Sequence, residues 1–215
     1  MIEHVYTRAA AAPGVDAVVV ATDDARIAQA VERFGGLVRM TRATHRTGLD
    51  RIAEVAADLS CDIVVNVQGD EPLIDPQMIA EVVEPLDSDA TVQMSTLRRQ
   101  ISDPADNSDP NVVKVVVDLE GNALYFSRSP VPFVRDAGWP LFKHVGLYAY
   151  RRTFVRALAA LPQTPLEIAE SLEQLRALEH GFRIRAVETQ YDSIGVDTPE
   201  DLERVRRQMT VGARV

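Results

Sequence analysis

Apolar positions in this chain come in short bursts, and their period switches repeatedly between strand-like and helix-like. Ala17–Ala21 is a β-branched run that stops at Thr22-Asp-Asp, the look of a buried parallel strand. Asp23 or Asp24 can then cap a helix whose face carries Ile27, Ala30, Val31 and Phe34, and Gly35-Gly36 ends it. Leu37–Met40 reads as a second strand and Thr47–Leu59 as a helix with Ile52, Val55, Ala56 and Leu59 on one side. Asp62–Val67 is a third strand, and Pro76–Val83 a helix with proline near its start.

Beyond residue 90 the rhythm changes. Thr91–Leu97, Val112–Asp118 and Ala123–Ser127 read as strands, the last two joined by a turn at Glu120-Gly-Asn. His144–Tyr150 is a further strand. Helices are expected over Arg151–Leu161 and Pro165–His180, a strand over Arg183–Glu188, and a last helix over Thr198–Met209 with Pro199 at its first position. The alternation in the first 85 residues predicts an α/β fold, a doubly wound and mainly parallel sheet. Segment 91–150 is expected to add a small hairpin-rich annex or dimer element, and residues 1–215 to make one domain.

Composition narrows the class. The chain has 215 residues, 46% hydrophobic and 26% charged, as in an ordinary globular protein. Its one cysteine can make neither an internal disulfide nor a Cys-rich zinc site, which suits an intracellular, cytoplasmic protein. No apolar run nears the roughly 18 residues that span a bilayer, and the first residues read as no signal peptide, so no membrane partner is expected. A net charge of −9 argues against broad nucleic-acid binding.

Ligands of open α/β sheets bind beyond the carboxyl ends of the strands, so the polar residues there are the first candidates. Asp70, in Gln68-Gly-Asp-Glu-Pro, follows the third strand, and Asp197, in Gly195-Val-Asp-Thr-Pro, precedes the last helix. Each alone reads as a capped turn. Together they offer the hard oxygen donors that Mg²⁺ takes beside substrate phosphates. Arg39, Arg42, Arg46 and Arg51, against the single acid Asp50, form the basic exception in an acidic chain, with His45 beside them. They read either as a phosphate or base contact or as a solvated loop. His144, Tyr148 and Tyr150 read by themselves as packing, and Cys61 as a small hydrophobe. Glu167 and Glu170 read as a solvated helix face, whereas Glu173 and Gln174 flank Leu172 and Leu175 and can be drawn inward.

In order along the chain, ATDD at 21–24, MTRATHRTGLDR at 40–51, VNVQGDEPLI at 65–74, NVVKVV at 111–116, ALYFSRSPVP at 123–132, KHVGLYAYRR at 143–152, PLEIAESLEQLRALEHG at 165–181 and GVDTPEDLERVR at 195–206 resemble the CMP-Kdo synthetases. These 3-deoxy-manno-octulosonate cytidylyltransferases activate Kdo with CTP for lipopolysaccharide. The resemblance implies a nucleotidyltransferase fold, a homodimer, and attack of the Kdo 2-hydroxyl on the α-phosphorus of CTP with Mg²⁺ present. It also implies roles residue by residue. Asp70 and Asp197 would be the metal carboxylates. Gln68 would sit near nucleotide and sugar, with Thr47, Gly48 and Arg51 around the cytidine. Arg128, His144, Tyr148, Glu173 and Gln174 would line the Kdo pocket, Arg128 facing the sugar's carboxylate. Two departures stand out. Leu49 replaces a usual Thr. The match also begins after the family's opening strand and its R-x-x-S-x-R-x-P-G-K-type loop, a shortfall of roughly 25–30 residues by ordinary element lengths. An unpaired edge is therefore expected beside Ala17–Ala21. The remaining alternatives are a cytidylyltransferase for another ulosonic acid, either 8-amino-Kdo or a sialic-acid-like sugar, and a non-catalytic sugar-nucleotide-binding homologue.

Overall fold

A computed structural model describes residues 1–45, 47–135, 138–196 and 198–212. Eight strands and nine helices are placed among them. Helix α1 is Ile2–Ala10, strand β1 Val19–Thr22, α2 Ala25–Arg33, β2 Leu37–Met40, α3 Gly48–Ala57, β3 Ile63–Asn66 and α4 Pro76–Ser88. Then follow β4 Met94–Gln100, α5 Pro104–Ser108, β5 Lys114–Val117, β6 Ala123–Ser127 and β7 Phe142–Arg151. The last are α6 Arg152–Ala159, α7 Pro165–Glu170, α8 Gln174–Glu179, β8 Arg185–Glu188 and α9 Pro199–Gly212.

Local chemistry sets the boundaries. Asp24 caps α2, its carboxylate accepting from the Arg26 N–H at 2.8 Å, and Gly35 follows that helix with a positive φ that an L side chain rarely adopts. Thr47 caps α3 through the Asp50 N–H, and Asp75 caps α4 through the Gln77 N–H. Helix α4 outruns its expected end at Val83. Ile79, Val82 and Leu86 stay on its buried face, so packing carries it through Pro85. The helix expected over Pro165–His180 is two helices. Ser171 takes a left-handed conformation, φ 53°, and breaks it.

The α/β architecture is observed, with strand order more specific than the sequence reading. Strands β1 and β2 pair in parallel as a sheet of their own. The six-stranded sheet runs β6-β5-β7-β4-β8, with β3 also on β7. Strand β7 is antiparallel to β3, β4 and β5, and β8 is parallel to β4. Hence β3, β4, β5 and β8 point one way, and β6 and β7 the other. The expected annex over 91–150 is corrected here: β4 and β7 are the middle of the main sheet, and only β5–β6 is a hairpin on its side. Among the described residues β1 pairs with β2.

Strand alternation puts a core on each face of this sheet. Val145, Leu147 and Ala149 of β7 pack with Ile74, Met78, Ile79, Val82 and Leu86 of the α4 region and with Ala9 and Ala12 of the α1 region. Tyr148 and Tyr150 face the other way, toward Leu49 and Ala56 of α3, Phe154, Val155 and Leu158 of α6, and Leu172, Leu175 and Ala177 around α8. Among the described residues no helix is long and apolar enough to cross a membrane. Truncating Ile79 to Ala should cost about 2–5 kcal/mol. Ile27→Ala on the exposed side of α2 should stay within about 0.5 kcal/mol. Urea denaturation of both variants checks this, and equal losses would refute the core placement.

Candidate functional site

Register brings the site together. Asn66, the last residue of β3, pairs with Tyr148, so the loop Gln68–Glu71 leaves the sheet where β7 continues toward His144. In the β4–β7 ladder Thr96 faces Tyr148 but Leu97 faces Val145, so Gly146 and Leu147 form a bulge. A Cβ added at Gly146 would meet nothing within 4 Å, so there is open space beside the backbone of the bulge. On the far side of the loop, the Val196 N–H donates to the Asp70 carbonyl at 2.9 Å. Segment 194–196, which leads into Asp197, is thereby held against Asp70. Asp197 itself lies outside the described residues, as does Arg46.

His144 lies between Phe126, at 5.0 Å between ring centroids, and Tyr148, at 5.3 Å. Its Nε2 meets the Thr96 hydroxyl at 2.9 Å. Burial holds its pKa down at about 3, so the ring is neutral at physiological pH. Burial also pushes the Tyr148 and Tyr150 phenols up, which keeps both protonated as donors. Burial pushes Glu71, beside Asp70, up to about 7.

The residues of α7 and α8 are organised by an ion pair. Arg176, 2% exposed, is bonded to Glu167, 3% exposed, through Nε at 2.9 Å and Nη2 at 2.5 Å. Burial opposes the Glu167 charge, but the Arg176 bonds prevail and hold its carboxyl below the usual range. The reading of Glu167 and Glu170 as a solvated face is corrected. The Glu170 carboxylate accepts from the Ser127 hydroxyl at 2.8 Å and the Arg128 N–H at 2.9 Å. Arg128 in turn donates from Nε to the Glu170 carbonyl at 2.7 Å and from Nη1 to the Pro110 carbonyl at 3.0 Å. Those bonds fix its guanidinium in place without matching it to a carboxylate.

Glu173 is drawn inward as expected, yet toward α3. Its two oxygens accept from the Gly48 and Leu49 N–H groups at 3.2 and 3.1 Å, so Gly48 spends its amide on the protein. The carboxylate takes a place at a helix N-terminus where negative charge is favoured, although burial pushes its pKa up. Gln174 is 5% exposed, and its buried Nε2 has no hydrogen-bond partner among the described residues. An orphaned buried donor of this kind is expensive unless something else accepts from it.

The basic stretch is largely neutralised from within. Arg42 at 2.9 Å and His45 both pair with Glu54. Arg51 reaches Asp23 at 3.2 Å and the Thr41 hydroxyl at 2.5 Å, which ties α3 to the carboxyl end of β1. Thus Thr47, Gly48 and Arg51 share the start of α3, to which Glu173 is bonded, His144 and Tyr148 lie together on β7, and Arg128 is tied to Glu170. A cavity of about 430 Å³ lined by Cys61, Asp62, Asp87, Arg151 and Arg152 opens at the other end of β3 and contains none of these residues. Sequence reasoning missed Thr96, Arg176 and Lys114. The Lys114 ammonium is fully buried and donates to the Asp109 and Val112 carbonyls, at 2.8 and 2.5 Å. For Lys114 the available signal was a single polar residue inside the apolar run 112–117, whereas Thr96, beside Ser95, and Arg176, among Glu and Gln, carried no such signal.

The family described as cytidylyltransferase matches residues 1–185. A 3-deoxy-manno-octulosonate cytidylyltransferase of Geobacter metallireducens is 57% identical over 98% of this chain and 87% of its own length. That of Solibacter usitatus is also 57% identical, over 96% of this chain and 83% of its own. A solved structure of CMP:2-keto-3-deoxy-manno-octonic acid synthetase complexed with CTP aligns with a TM-score of 0.93 at 46% identity, over 98% of this chain and 88% of that one. A 4-diphosphocytidyl-2C-methyl-D-erythritol synthase from Anaerococcus prevotii, at 14% identity and a TM-score of 0.63, shares the fold.

Neutral burial of His144 has a pH signature. Below the ordinary imidazole value of 6.5, the unfolded chain takes up a proton that the native ring refuses down to about 3. This residue therefore makes stability fall as pH drops through that window. His144→Gln should flatten the slope by up to about 1.4 kcal/mol per pH unit. Urea midpoints measured across the window test it, and an unchanged slope refutes the buried neutral state.

Proposed function

The chain belongs to the cytidylyltransferase family, and we propose that it activates Kdo with CTP, giving CMP-Kdo and pyrophosphate. The supporting observation is the Val196–Asp70 hydrogen bond, which holds the approach to Asp197 against the Asp70 loop at the end of β3. The CTP bound by the 46%-identical neighbour supports the nucleotide, and the names of the 57%-identical relatives support the sugar.

The reaction needs positioning and charge neutralisation more than covalent chemistry. The anomeric 2-hydroxyl oxygen of Kdo forms a bond to the α-phosphorus of CTP. The bond from that phosphorus to the oxygen bridging to the β-phosphate breaks, pyrophosphate leaves, and the hydroxyl proton passes to solvent. Arg128, held by backbone carbonyls, meets the sugar carboxylate. The Gln174 amide donates to a sugar oxygen, and Tyr148 and the neutral His144 bond its hydroxyls. Gln68 stands between sugar and nucleotide. Thr47, Gly48 and Arg51 border the cytidine, and Glu173 fixes their helix.

Among the described residues no group of three or more His, Cys, Asp or Glu forms a metal cage. One or two carboxylates are nevertheless what Mg²⁺ needs when substrate phosphates complete its shell, and Asp70 with Asp197 fits that pattern. They would hold Mg²⁺, which when bound neutralises triphosphate charge and acidifies the attacking hydroxyl. We further propose a cytoplasmic homodimer supplying lipopolysaccharide assembly. Leu119, Leu124, Phe133 and Trp139, all in segment 91–150, are large exposed apolar side chains that suit a second copy.

Pyrophosphate release should require CTP, Kdo and Mg²⁺ together, and should fall at least about 100-fold in Asp70→Ala and in Asp197→Ala, as removal of transition-state charge stabilisation does. Release that is undiminished in both variants refutes the metal assignment. Turnover of 8-amino-Kdo or a sialic acid in preference to Kdo refutes the sugar, and binding without turnover refutes the enzyme. Light scattering at micromolar concentration should give the mass of two chains, and a single-chain mass refutes the dimer.

A further inference from the structure

Thr96 is fully buried in β4, and its hydroxyl touches three groups across the β7 bulge. His144 Nε2 lies at 2.9 Å, the Leu147 carbonyl at 2.8 Å and the Val145 carbonyl at 3.3 Å. A threonine hydroxyl has one proton to give. Carbonyl oxygens can only accept, so the proton belongs with the nearer one, Leu147. The hydroxyl is then an acceptor toward His144, and Nε2 must carry the ring's hydrogen. The neutral ring has one hydrogen, so its Nδ1 is a bare acceptor. This relay exists because the bulge inserts Gly146 and Leu147 between residues that a regular ladder would place side by side, turning the Leu147 carbonyl toward Thr96.

We propose that Thr96 is a positioning residue for the transfer reaction, locking His144 as the Nε2–H tautomer so that Nδ1 accepts a hydrogen bond from a hydroxyl of the bound sugar acid. The proposal rests on the reading of His144 as a residue of the Kdo pocket. A locked acceptor discriminates sharply, because a ligand lacking the matching hydroxyl leaves a buried nitrogen unpaired. An unlocked ring would populate the Nδ1–H tautomer as well and present a donor to a donor. The tautomer is set by the partner of the other nitrogen, as with histidines bound to metals.

The test is ¹⁵N NMR of the imidazole nitrogens combined with steady-state kinetics on the full chain. In the wild-type protein the His144 nitrogens should report hydrogen on Nε2 and none on Nδ1. Hydrogen on Nδ1 overturns the proposal without any variant. Thr96→Val keeps the shape but removes the hydroxyl. It should give a mixed tautomer signature and raise the KM for Kdo about 10-fold or more, with the KM for CTP within about 2-fold. Thr96→Ser restores the hydroxyl and should return both the spectrum and the KM for Kdo to near the wild-type pattern. An unmixed tautomer in the valine variant, or a mixed one with unchanged Kdo kinetics, overturns the positioning role. If the valine variant does not fold, the wild-type spectrum and the serine variant still decide, since a displaced serine spectrum with unchanged kinetics also overturns it. His144→Ala separates the two levels. Unchanged Kdo kinetics there refute the pocket assignment itself, whatever the spectra show.

Discussion

One strand running against its neighbours holds the main sheet together. Strand β7 pairs with β4 along one edge, and on the other with β5 near its start and β3 near its end. Without it, β3, β4 and β5 would be separate ribbons, and both faces of the core would lose their shared floor. Its alternation assigns Val145, Leu147 and Ala149 to one core and Tyr148 and Tyr150 to the other. Its bulge then departs from that regularity where chemistry is wanted, opening space beside Gly146 and turning a carbonyl toward Thr96. Bulges are used in this way to re-aim side chains next to sites.

The second organising interaction is electrostatic. Removing one member of the Arg176–Glu167 pair would leave a buried charge without its main partner, which is the costly direction for a buried ion pair. The pair pins α7 against α8, and the two carboxylates between them then work in different places. Glu170 braces Arg128 by its backbone and holds Ser127, whereas Glu173 receives the amides at the start of α3. The proposed sugar side and the proposed nucleotide side are thus mechanically linked through one short segment.

Much of this was legible beforehand, and the rest was hidden for identifiable reasons. Strands β2 and β6 match their expected bounds because each is a short, largely apolar run that starts just after a glycine-containing turn, Gly35-Gly36 and Glu120-Gly-Asn. The cap at Asp24 was readable as one of two acids at a helix start, whereas the cap at Thr47 was not anticipated. The break at Ser171 was not, since serine in a left-handed conformation has no local signature and follows from the partners of Glu170 and Glu173. The same limit misplaced Glu167 and Glu170: spacing tells which face a residue shares, but not whether an arginine or an amide waits there. Asp70 is suggested as a candidate by its place after a strand, and His144 and Gln174 by family resemblance. The hydroxyl of Thr96 is meaningful only once the β4–β7 register is known.

The separation of β1–β2 from the main sheet has a dynamic consequence. No ladder bond joins the two sheets among the described residues. The smaller is held by side-chain contacts such as Arg51 with Asp23, and by packing of α3 against β1. A unit attached in this way can open as a piece while the six-stranded sheet stays shut, so its amide hydrogens exchange by a sub-global route of lower free energy than complete unfolding. The basic stretch follows β2, and Arg51 bridges from α3 to the end of β1. Arg51, proposed to border the cytidine, belongs to α3, whose Leu49 and Ala56 pack in the main core, so a nucleotide held there would help to fasten the smaller sheet to the body of the molecule.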